Sequence, residues 1–400
     1  MKPSAGKNLL LLDEGWAITP YLAKGLKQAG YTVYSFSTEY RDPKFLASYL
    51  TQIQAPQISA PEYIEELNQV ITAREFAAIL PLTENIFYKL WDATFPWSEK
   101  IYPATKDWQR DLMRSKHRLS EFVASYGVSI PAHCRINSLQ DVPAAVRRLG
   151  LPVVVKGANG RAGSHVCIAA SEAEATKRVN EMASDGDEWP ILQQYIDGAT
   201  FLVGGLFHEG NALRLYAAEQ VEMCHSRTSP SIRVKSNNDP ALCEQAVAAF
   251  HALRWSGFAN ADFVRDADGH YYFLEINPRP WGSMMAATSA GVNFFEPFGK
   301  LLQEEIPAAN LRFRHGVSST LFPQYLQAQV EKGGLREVAR MAKAIRGWRE
   351  VPWRSPALTM HMMRRVYWQW HSLTQLSRNE REATAATTYS SLAQRLGKSV

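Results

Sequence analysis

The chain has 400 residues, of which 46% are hydrophobic and 21% charged, and it carries a net charge of +5. This length and composition are typical of a soluble globular protein with two or three domains, and no apolar run approaches the ~20 residues of a transmembrane helix. The four cysteines are scattered without metal-binding spacing, which argues against zinc and a disulfide framework and favours a reducing cytoplasm.

The first hundred residues predict a parallel α/β unit. A buried strand over 8–13 precedes a helix over 19–29 and a strand over 31–36, and a helix over 61–75 precedes a strand over 77–81. Alternating strands and helices are typical of parallel sheets. Glu84 follows the carboxyl end of the last strand, where such sheets bind ligands, although a helix cap explains this residue equally well. The first turn lacks GxGxxG, so a dinucleotide fingerprint is absent.

Lys156 ends a short apolar strand and begins a glycine-rich stretch. Helices over 107–126 and 141–149 and a strand over 153–155 precede this loop, and a strand over 166–169 follows it. Glycines let backbone N–H groups approach phosphate oxygens, and the lysine supplies a positive charge. The stretch is not a Walker A loop, because no GK[ST] opens a helix. A phosphate-binding loop and a plain glycine-rich turn both remain open.

The segment ILQQYIDG is the next candidate for a binding role. It follows a predicted helix over 171–183, and strands over 191–196, 200–206 and 213–223 are predicted around it, before a helix over 240–255. A strand edge offers backbone donors and acceptors to a purine. An ordinary buried strand explains the segment as well.

The stretch NADFVRDADGHYYFLEINPRPWG predicts a hairpin around Asp268-Gly269 with a two-residue turn. In that register the opposed pairs are Ala267 with His270, Val264 with Phe273, Asp262 with Glu275, and Asn260 with Asn277. The other face carries Ala261, Phe263, Leu274 and Ile276, which we expect in the core. Acid and amide oxygens gathered this closely suit Mg²⁺, whereas a solvated face with chance acids is the alternative.

Arg279 lies between two prolines directly after this hairpin. Proline limits the backbone freedom of the segment. A guanidinium held there could stabilise charge on a phosphoryl group during transfer. A loop arginine without such a role is the alternative, and the position beside the acids favours the functional interpretation.

Taken in order, these features resemble the ATP-grasp superfamily over roughly residues 105–300. RSKHRLSEFVASYGVSIP is similar to the family's lysine helix and following strand entry, VVVKGANGRAGSHV to its phosphate loop, and GFANADFV…YYFLEINPRPWG to its metal strands with their E-x-N-x-R ending. The resemblance implies an α+β ATP-grasp fold, in which two α+β subdomains sandwich ATP, preceded by a Rossmann-like α/β domain.

The implied domains are a pre-ATP-grasp α/β domain over 1–105, a small (lid) subdomain over 106–190 and a large subdomain with the metal strands over 191–310. A basic, mostly helical extension occupies 311–400.

The resemblance also implies residue roles. ATP phosphates would be bound by Lys116 and Lys156, the latter also catalytic, under a loop formed by Gly160, Arg161, Ala162, Gly163 and Ser164. Adenine would meet Gln193, Gln194, Tyr195 and Ile196, with Thr200 at the ribose position. Asp262, Glu275 and Asn277 would hold Mg²⁺, usually as two ions that Mn²⁺ can replace, and Arg279 would stabilise the phosphoryl group. Gln193 and Thr200 stand where the family often has an acid, and Asp262 stands where it often has the longer Glu.

The implied activity is an ATP- and Mg²⁺-dependent ligase of the cytoplasm. It would activate a small-molecule carboxylate as an acylphosphate and couple it to an amine, releasing ADP and phosphate. A carboxylase, a carboxylate–thiol ligase and a non-catalytic nucleotide-binding module are the alternatives. Arg233 and Lys235, within 226–236, and Glu84 are candidates for substrate contact, with a solvated basic loop as the alternative for the first two.

The basic character is concentrated in the C-terminal tail, since residues 312–400 hold 15 Lys/Arg and 5 Asp/Glu. Helices are predicted over 335–349 and 358–370, and both mix bases with Trp or Met. The tail is a candidate for docking on an acidic carrier protein or a membrane surface, and a helical appendage packed on the core is the third interpretation. No motif indicates specific nucleic-acid binding, and a homodimer stays open.

Overall fold

The computed structural model describes residues 7–38, 45–94, 96–157, 166–183, 189–224, 229–333 and 355–375. The strands within these residues form three sheets, one parallel and two antiparallel. None of the helices described is long and apolar enough to cross a membrane.

The N-terminal sheet is parallel, with strand order β3-β2-β1-β4. Its strands are β1 (Asn8–Asp13), β2 (Thr32–Ser37), β3 (Thr51–Gln54) and β4 (Ala78–Pro81), and its helices are α1 (Thr19–Gln28), α2 (Tyr63–Thr72) and α3 (Glu84–Trp91). The four leucines of β1 are fully buried, as expected for a strand covered on both faces. The predicted strand–helix–strand order is therefore confirmed. The edge strand β3 was not predicted, because its TQIQ sequence carries little apolar signal.

The second sheet, here called the lid sheet, has the order β5-β8-β6-β7. It comprises β5 (His133–Arg135), β6 (Val153–Lys156), β7 (Val166–Ala169) and β8 (Ile191–Gln194), with α6 (Val142–Leu149) and α7 (Glu172–Ala183). Val153, Val155 and Leu192 pack with residues of both helices in one core. Because side chains alternate along a strand, Lys156 lies on the other face.

The third sheet is antiparallel, with order β13-β12-β9-β10-β11-β14. Its strands are β9 (Ala199–His208), β10 (Asn211–Met223), β11 (Ser231–Ser236), β12 (Gly257–Arg265), β13 (Tyr271–Asn277) and β14 (Ser318–Thr320). Around it lie α4 (Asp107–Met113), α5 (Lys116–Ser125), α8 (Pro240–Ala252), α9 (Ala286–Ser289), α10 (Phe295–Leu302), α11 (Gln324–Gly333) and α12 (Pro356–Gln375). One face packs on α5 and α8, and the other shares a core with α1 and α10.

The single helix predicted over 107–126 is wrong, because two helices occupy this stretch. Ser115 has extended backbone (φ −126°, ψ 107°), and its side chain accepts a hydrogen bond from the backbone N–H of Arg118. Serine is a preferred N-cap, since its hydroxyl satisfies an N–H that the helix leaves unpaired. The break makes Lys116 the first residue of α5.

The acids of the hairpin pair as predicted, although the loop length and the strand register differ from the prediction. The Asp266 N–H donates to the carbonyl oxygen of His270, and the Gly269 N–H donates to the carbonyl oxygen of Asp266. The loop therefore has three residues and not two, with Gly269 at φ +92°. A β-bulge at Leu274 then shifts the register back by one residue, and Asp262 pairs with Glu275. The predicted two-residue turn is therefore wrong, while the two acid and amide pairs are confirmed.

The bulge also changes which residues of β13 enter the core. Phe273 pairs with Phe263, and the two buried rings lie 5.8 Å apart in an edge-on arrangement. Leu274, predicted in the core, is only partly buried. Val264 pairs with Tyr272 and not with Phe273.

The C-terminal residues that are described pack on the rest of the chain. α12 lies against α11, and its Leu358, Met362 and Val366 are buried in the same core as α1. Arg365 donates a hydrogen bond to the carbonyl of Gly15, 2.7 Å away, in the loop after β1. The helix predicted over 358–370 is confirmed within α12, whereas the one predicted over 335–349 lies outside the described residues.

Candidate active site

An ion pair between Lys116 and Glu275 joins the start of α5 to β13. The lysine Nζ lies 3.4 Å from Oε2 of Glu275, and the side chains are 17% and 28% exposed. The break between α4 and α5 is what places this lysine at a helix start facing the sheet. An exposed fraction this small leaves the pair accessible to a ligand while limiting screening by water.

Lys156 reaches the same strand from the lid sheet. It is buried at the end of β6, and its Nζ donates to the carbonyl oxygen of Leu274 at 3.4 Å. Leu274 is the bulged residue of β13, which is the edge strand of its sheet. Burial, reinforced by the charge of Lys116 and opposed by Glu275, lowers the pKa of Lys156 to about 8.

Asp262 lies beside Glu275 on the paired strand and is surrounded by amides. Asn277 Nδ2 donates to Asp262 Oδ2 at 3.1 Å, and Asn260 Nδ2 lies 3.4 Å from Oδ1. Burial and the neighbouring Glu275 carboxylate raise the pKa of Asp262. Burial also acts to raise the pKa of Glu275, but Lys116 and Lys156 outweigh it, and the net shift is downward.

These oxygens form a donor set that fits a hard divalent cation. Two carboxylates face each other across a strand pair, and they repel each other unless a cation lies between them. The buried Oδ1 of Asn260 has no hydrogen-bond partner among the described residues. Carboxylate and amide oxygens are the ligands that Mg²⁺ prefers, and an amide can turn its oxygen toward an ion. Asp262, Glu275 and Asn277 therefore fit a magnesium site.

Arg279 lies between this site and residues that follow strands of the N-terminal sheet. Its Nε and one terminal nitrogen lie 2.8 and 2.7 Å from Oε1 of Glu84, and its guanidinium stacks 4.6 Å above the ring of Trp16. Glu84 opens α3 after β4, and Trp16 lies in the loop after β1. Both follow carboxyl ends of parallel strands, where ligand sites form. Glu84 is thus the partner of Arg279 in this structure.

The residues proposed to meet adenine occupy the middle and end of β8. The interpretation of Gln193 as part of a strand edge is wrong, because β8 is paired on both sides, with β5 and β6. The buried Gln193 side chain pairs with Val154 and so shares the face of Lys156. Gln194 ends the strand, and Tyr195 and Ile196 follow it.

Thr200 starts the next strand, and the pairing pattern determines its face. It pairs with Val264, two residues from Asp262 on β12. Alternation places Thr200 on the same face of the large sheet as Asp262. It therefore lies on the side of that sheet that carries the acids.

The two basic substrate candidates lie on β11, not in a loop. Paired residues share a face, and the pairing runs from Asp262 through Leu202 and Ala218 to Ser236. Lys235 precedes Ser236 and so lies on the opposite face. Arg233 is 3.4 Å from Glu222 and stacks 5.4 Å from the ring centre of Tyr325. The structure brings neither of them to the acids.

A family model of the ATP-grasp domain matches residues 113–283, which contain both lysines, the acid pair and Arg279. This stretch matches the ATP-grasp domain and makes up less than half of the chain. The match and the solved structures described below together confirm the ATP-grasp fold class predicted above.

Comparisons with individual proteins agree with this match. The D-alanine–D-alanine ligase of Pseudomonas fluorescens is 28% identical over 200 residues, which are 46% of this chain and 60% of the relative. The chain thus matches less than two thirds of that relative's length.

Two solved structures show the same fold. Biotin carboxylase from Campylobacter jejuni superposes with a TM-score of 0.64 at 17% identity, over 78% of this chain and 74% of that one. The L-amino acid ligase from Bacillus licheniformis superposes with a TM-score of 0.57 at 18% identity, over 75% of each chain.

Of the residues predicted for the ATP-grasp site, the loop residues Gly160, Arg161, Ala162, Gly163 and Ser164 lie outside the described part of the chain. The sequence interpretation missed Trp16 and the carbonyl of Leu274. The first could have been suspected from its place after the carboxyl end of β1. The second had no signal, because a bulge depends on how two strands pair.

Proposed function

We propose that this ATP-grasp protein is an ATP- and Mg²⁺-dependent ligase that couples a small-molecule carboxylate to an amine. The observation that carries the proposal is the convergence of charges from separate elements. Lys116 from α5 and Lys156 from the lid sheet both lie 3.4 Å from β13, which bears Glu275. Two cations and an acid pair meeting at one strand suit a triphosphate with its metal.

The nucleotide would lie between the lid sheet and the large sheet. The two lysines would contact its phosphates, and Gln193 to Ile196 would contact adenine from the lid side. Gln193 shares the face of Lys156, and Thr200 shares that of Asp262, so both are on the surfaces that this arrangement requires. The role proposed for the loop 160–164 belongs to the same arrangement, since its backbone N–H groups would cover the phosphates.

Asp262, Glu275 and Asn277 would hold the magnesium. We propose further that two magnesium ions bind and that Mn²⁺ can replace them. The bound ion supplies positive charge that polarises phosphoryl oxygens. The protein's own part is positional, because Lys116 keeps Glu275 ionised and Asn277 fixes the Asp262 carboxylate by a hydrogen bond.

The proposed chemistry has two steps. A substrate carboxylate oxygen attacks the γ-phosphorus as the bond to the β-phosphate oxygen breaks, which gives an acylphosphate and ADP. The amine nitrogen then attacks the acyl carbon, the C–O bond to phosphate breaks, and the amine loses a proton. Arg279 would bind the transferred phosphoryl oxygens, since a planar guanidinium matches them in shape and charge.

An amine acceptor is favoured over bicarbonate or a thiol because the sequence relatives are D-alanine–D-alanine ligases. By the same likeness, we propose amino acids as the first substrates to test.

The proposed domains are 1–105, 106–190, 191–310 and 311–400, with the site formed between the first three. The basic extension stays a proposed docking surface for an acidic carrier or a membrane.

The test is ADP and phosphate release from ATP with a panel of acids and amines, with products identified by mass spectrometry. We expect release to require both an acid and an amine, and to disappear in Glu275→Gln. The variant Glu65→Gln, on an exposed part of α2, is the matched control. Release that requires only bicarbonate would favour a carboxylase, and tight ATP binding without turnover on any mixture would favour the non-catalytic module.

A further inference from the structure

Two histidines connect the lysine helix to the lid sheet at a place the ligase proposal does not use. His117 Nδ1 lies 2.9 Å from His133 Nε2, so α5 and β5 meet through their imidazole rings. The His117 side chain is 8% exposed, and His133 is half-buried. The sequence spacing gave no sign of this pair, since 15 residues separate the two positions.

Each ring also contacts an oxygen through its other nitrogen. His117 Nε2 lies 3.2 Å from Oε2 of Glu121, one helical turn away, and His133 Nδ1 lies 3.4 Å from the carbonyl oxygen of Pro131. A carboxylate and a carbonyl only accept hydrogen bonds. These two contacts are hydrogen bonds in the tautomers that carry a proton on both outer nitrogens.

This proton distribution leaves no hydrogen on the two facing nitrogens, His117 Nδ1 and His133 Nε2. A neutral imidazole carries a proton on one nitrogen only. If both rings are neutral and donate outward, two lone pairs face each other at 2.9 Å and repel. Outward donation by both rings therefore leaves a place for a cation between them, either an additional proton or a metal ion.

We infer that His117 and His133 bind a first-row transition-metal dication such as Zn²⁺ or Cu²⁺ through these two facing nitrogens. Metal-bound histidines commonly donate the other ring N–H to a carboxylate or a backbone carbonyl, which is the pattern formed by Glu121 and Pro131. Imidazole nitrogen selects such metals over Mg²⁺. Two nitrogens bound tetrahedrally to one Zn²⁺ stand ~3.4 Å apart, so the rings need to separate by only about half an ångström.

Glu121 and water can fill the remaining coordination positions of the metal. One ligand atom from each of His117, Glu121 and His133 lies within 4.8 Å of the others, and the Glu121 side chain is 60% exposed. Water enters from that side, and the carboxylate accepts the ring proton of His117 or turns to become a third ligand. Bound metal ties the helix of Lys116 to the lid sheet of Lys156.

The experiment is titration of the untagged full chain with Zn²⁺ in millimolar Mg²⁺, which occupies the oxygen site, using a competing chromophoric chelator. We expect one equivalent to bind, and His117→Gln and His133→Gln each to abolish that binding. Glu121→Gln should weaken it by roughly 10- to 100-fold, the effect of losing an outer partner. The exposed His251→Ala is the control and should bind normally.

A second measurement identifies the ligands without depending on the folding of a variant. The wild-type chain loaded with one equivalent of Cu²⁺ should show electron paramagnetic resonance couplings from two imidazole nitrogens. Unchanged Zn²⁺ affinity in His133→Gln, with native circular dichroism, would overturn the inference. So would a wild type that binds no metal and whose imidazole ¹⁵N shifts show a shared proton, because the proton is then the cation between the rings.

Discussion

Arg279 and Glu84 are 195 residues apart in the chain, yet two guanidinium nitrogens share one oxygen of the carboxylate, at 2.8 and 2.7 Å. The side chains are 12% and 15% exposed. The ion pair joins the helix start after β4 to the segment after the metal-binding strand. It therefore couples the N-terminal domain to the proposed phosphoryl site.

Removing the charge of Glu84 should destabilise the protein. Glu84→Gln leaves the guanidinium of Arg279 without its carboxylate in a poorly hydrated place, and loss of one partner of such a pair costs about 3 kcal/mol. Urea denaturation followed by circular dichroism measures the free energy of unfolding. The exposed Glu65→Gln should change it little, and an equal loss in both variants would contradict the importance of the pair.

Arg279→Lys should lower turnover more than it weakens ATP binding. Lysine cannot make the two contacts to Glu84 or stack flat on Trp16, because its ammonium is a point charge. We expect kcat for ADP formation to fall roughly 100-fold, the usual effect of losing one group that stabilises developing charge. Steady-state kinetics separates kcat from KM for ATP, and a change confined to KM would show that Arg279 only binds the nucleotide.

Removal of the divalent cation should stop ADP formation. EDTA should abolish it and Mg²⁺ should restore it in wild type. Glu275→Gln should lower it by roughly 100-fold or more even in excess Mg²⁺, because the site loses a charged ligand beside Lys116. Coupled detection of ADP reports the rate. If Glu275→Gln works at the wild-type rate, the metal assignment is wrong.

Asp13 should make stability depend on pH in the mildly acidic range. Burial raises the pKa of Asp13 from 3.8 to about 6, and hydrogen bonding to Trp16 and the charge of Arg365 only partly oppose this. The folded state therefore holds a proton that the unfolded state has released between pH 4 and 6. Stability from this group is full below pH 4, falls as the pH rises to about 6, and stays low above it.

The variant Asp13→Asn should remove this dependence. Relative to wild type, its free energy of unfolding should rise by about 3 kcal/mol between pH 4 and 7, since two pKa units correspond to that amount. Asparagine keeps an acceptor for the Trp16 N–H. Denaturation at several pH values gives the difference, and Asp107→Asn, at a side chain 96% exposed, is the control. Parallel pH curves for wild type and Asp13→Asn would refute the prediction.

Gly198 should not tolerate a side chain. A Cβ there would lie 1.7 Å from the carbonyl oxygen of Arg265, a backbone atom of β12 that moves only if the strand moves. Gly198→Ala should lower the free energy of unfolding by about 1–3 kcal/mol or more. Gly282→Ala meets nothing within 4 Å and is the matched control. Equal unfolding curves for the two variants would show that this turn is not tightly packed.

Much of the fold was predictable because its signals are local. The apolar run of β1, the lysine that ends β6 and the strand pattern of β12 each depend on a few neighbouring residues. The break before Lys116 was missed, although Ser115 carries an N-cap signal, because the helical pattern continues on both sides of it.

The hairpin marks the limit of such predictions. A two-residue turn was expected, whereas a three-residue loop and a bulge at Leu274 shift the register in opposite directions and restore the pairing of Asp262 with Glu275. The acids were placed correctly while Phe273 and Leu274 were not. A bulge is set by the twist and pairing of two strands, and one strand's sequence does not reveal it.

By itself, the sequence determined most of the elements, the order of the charged motifs and the family they resemble, because periodicity, turn residues and spacing are properties of the chain. Only the tertiary structure decided which distant side chains meet: Glu84 with Arg279, Lys156 with the carbonyl of Leu274, and His117 with His133. These contacts depend on how sheets and helices from distant parts of the chain pack together. Packing is decided by the whole core, and no single segment encodes it.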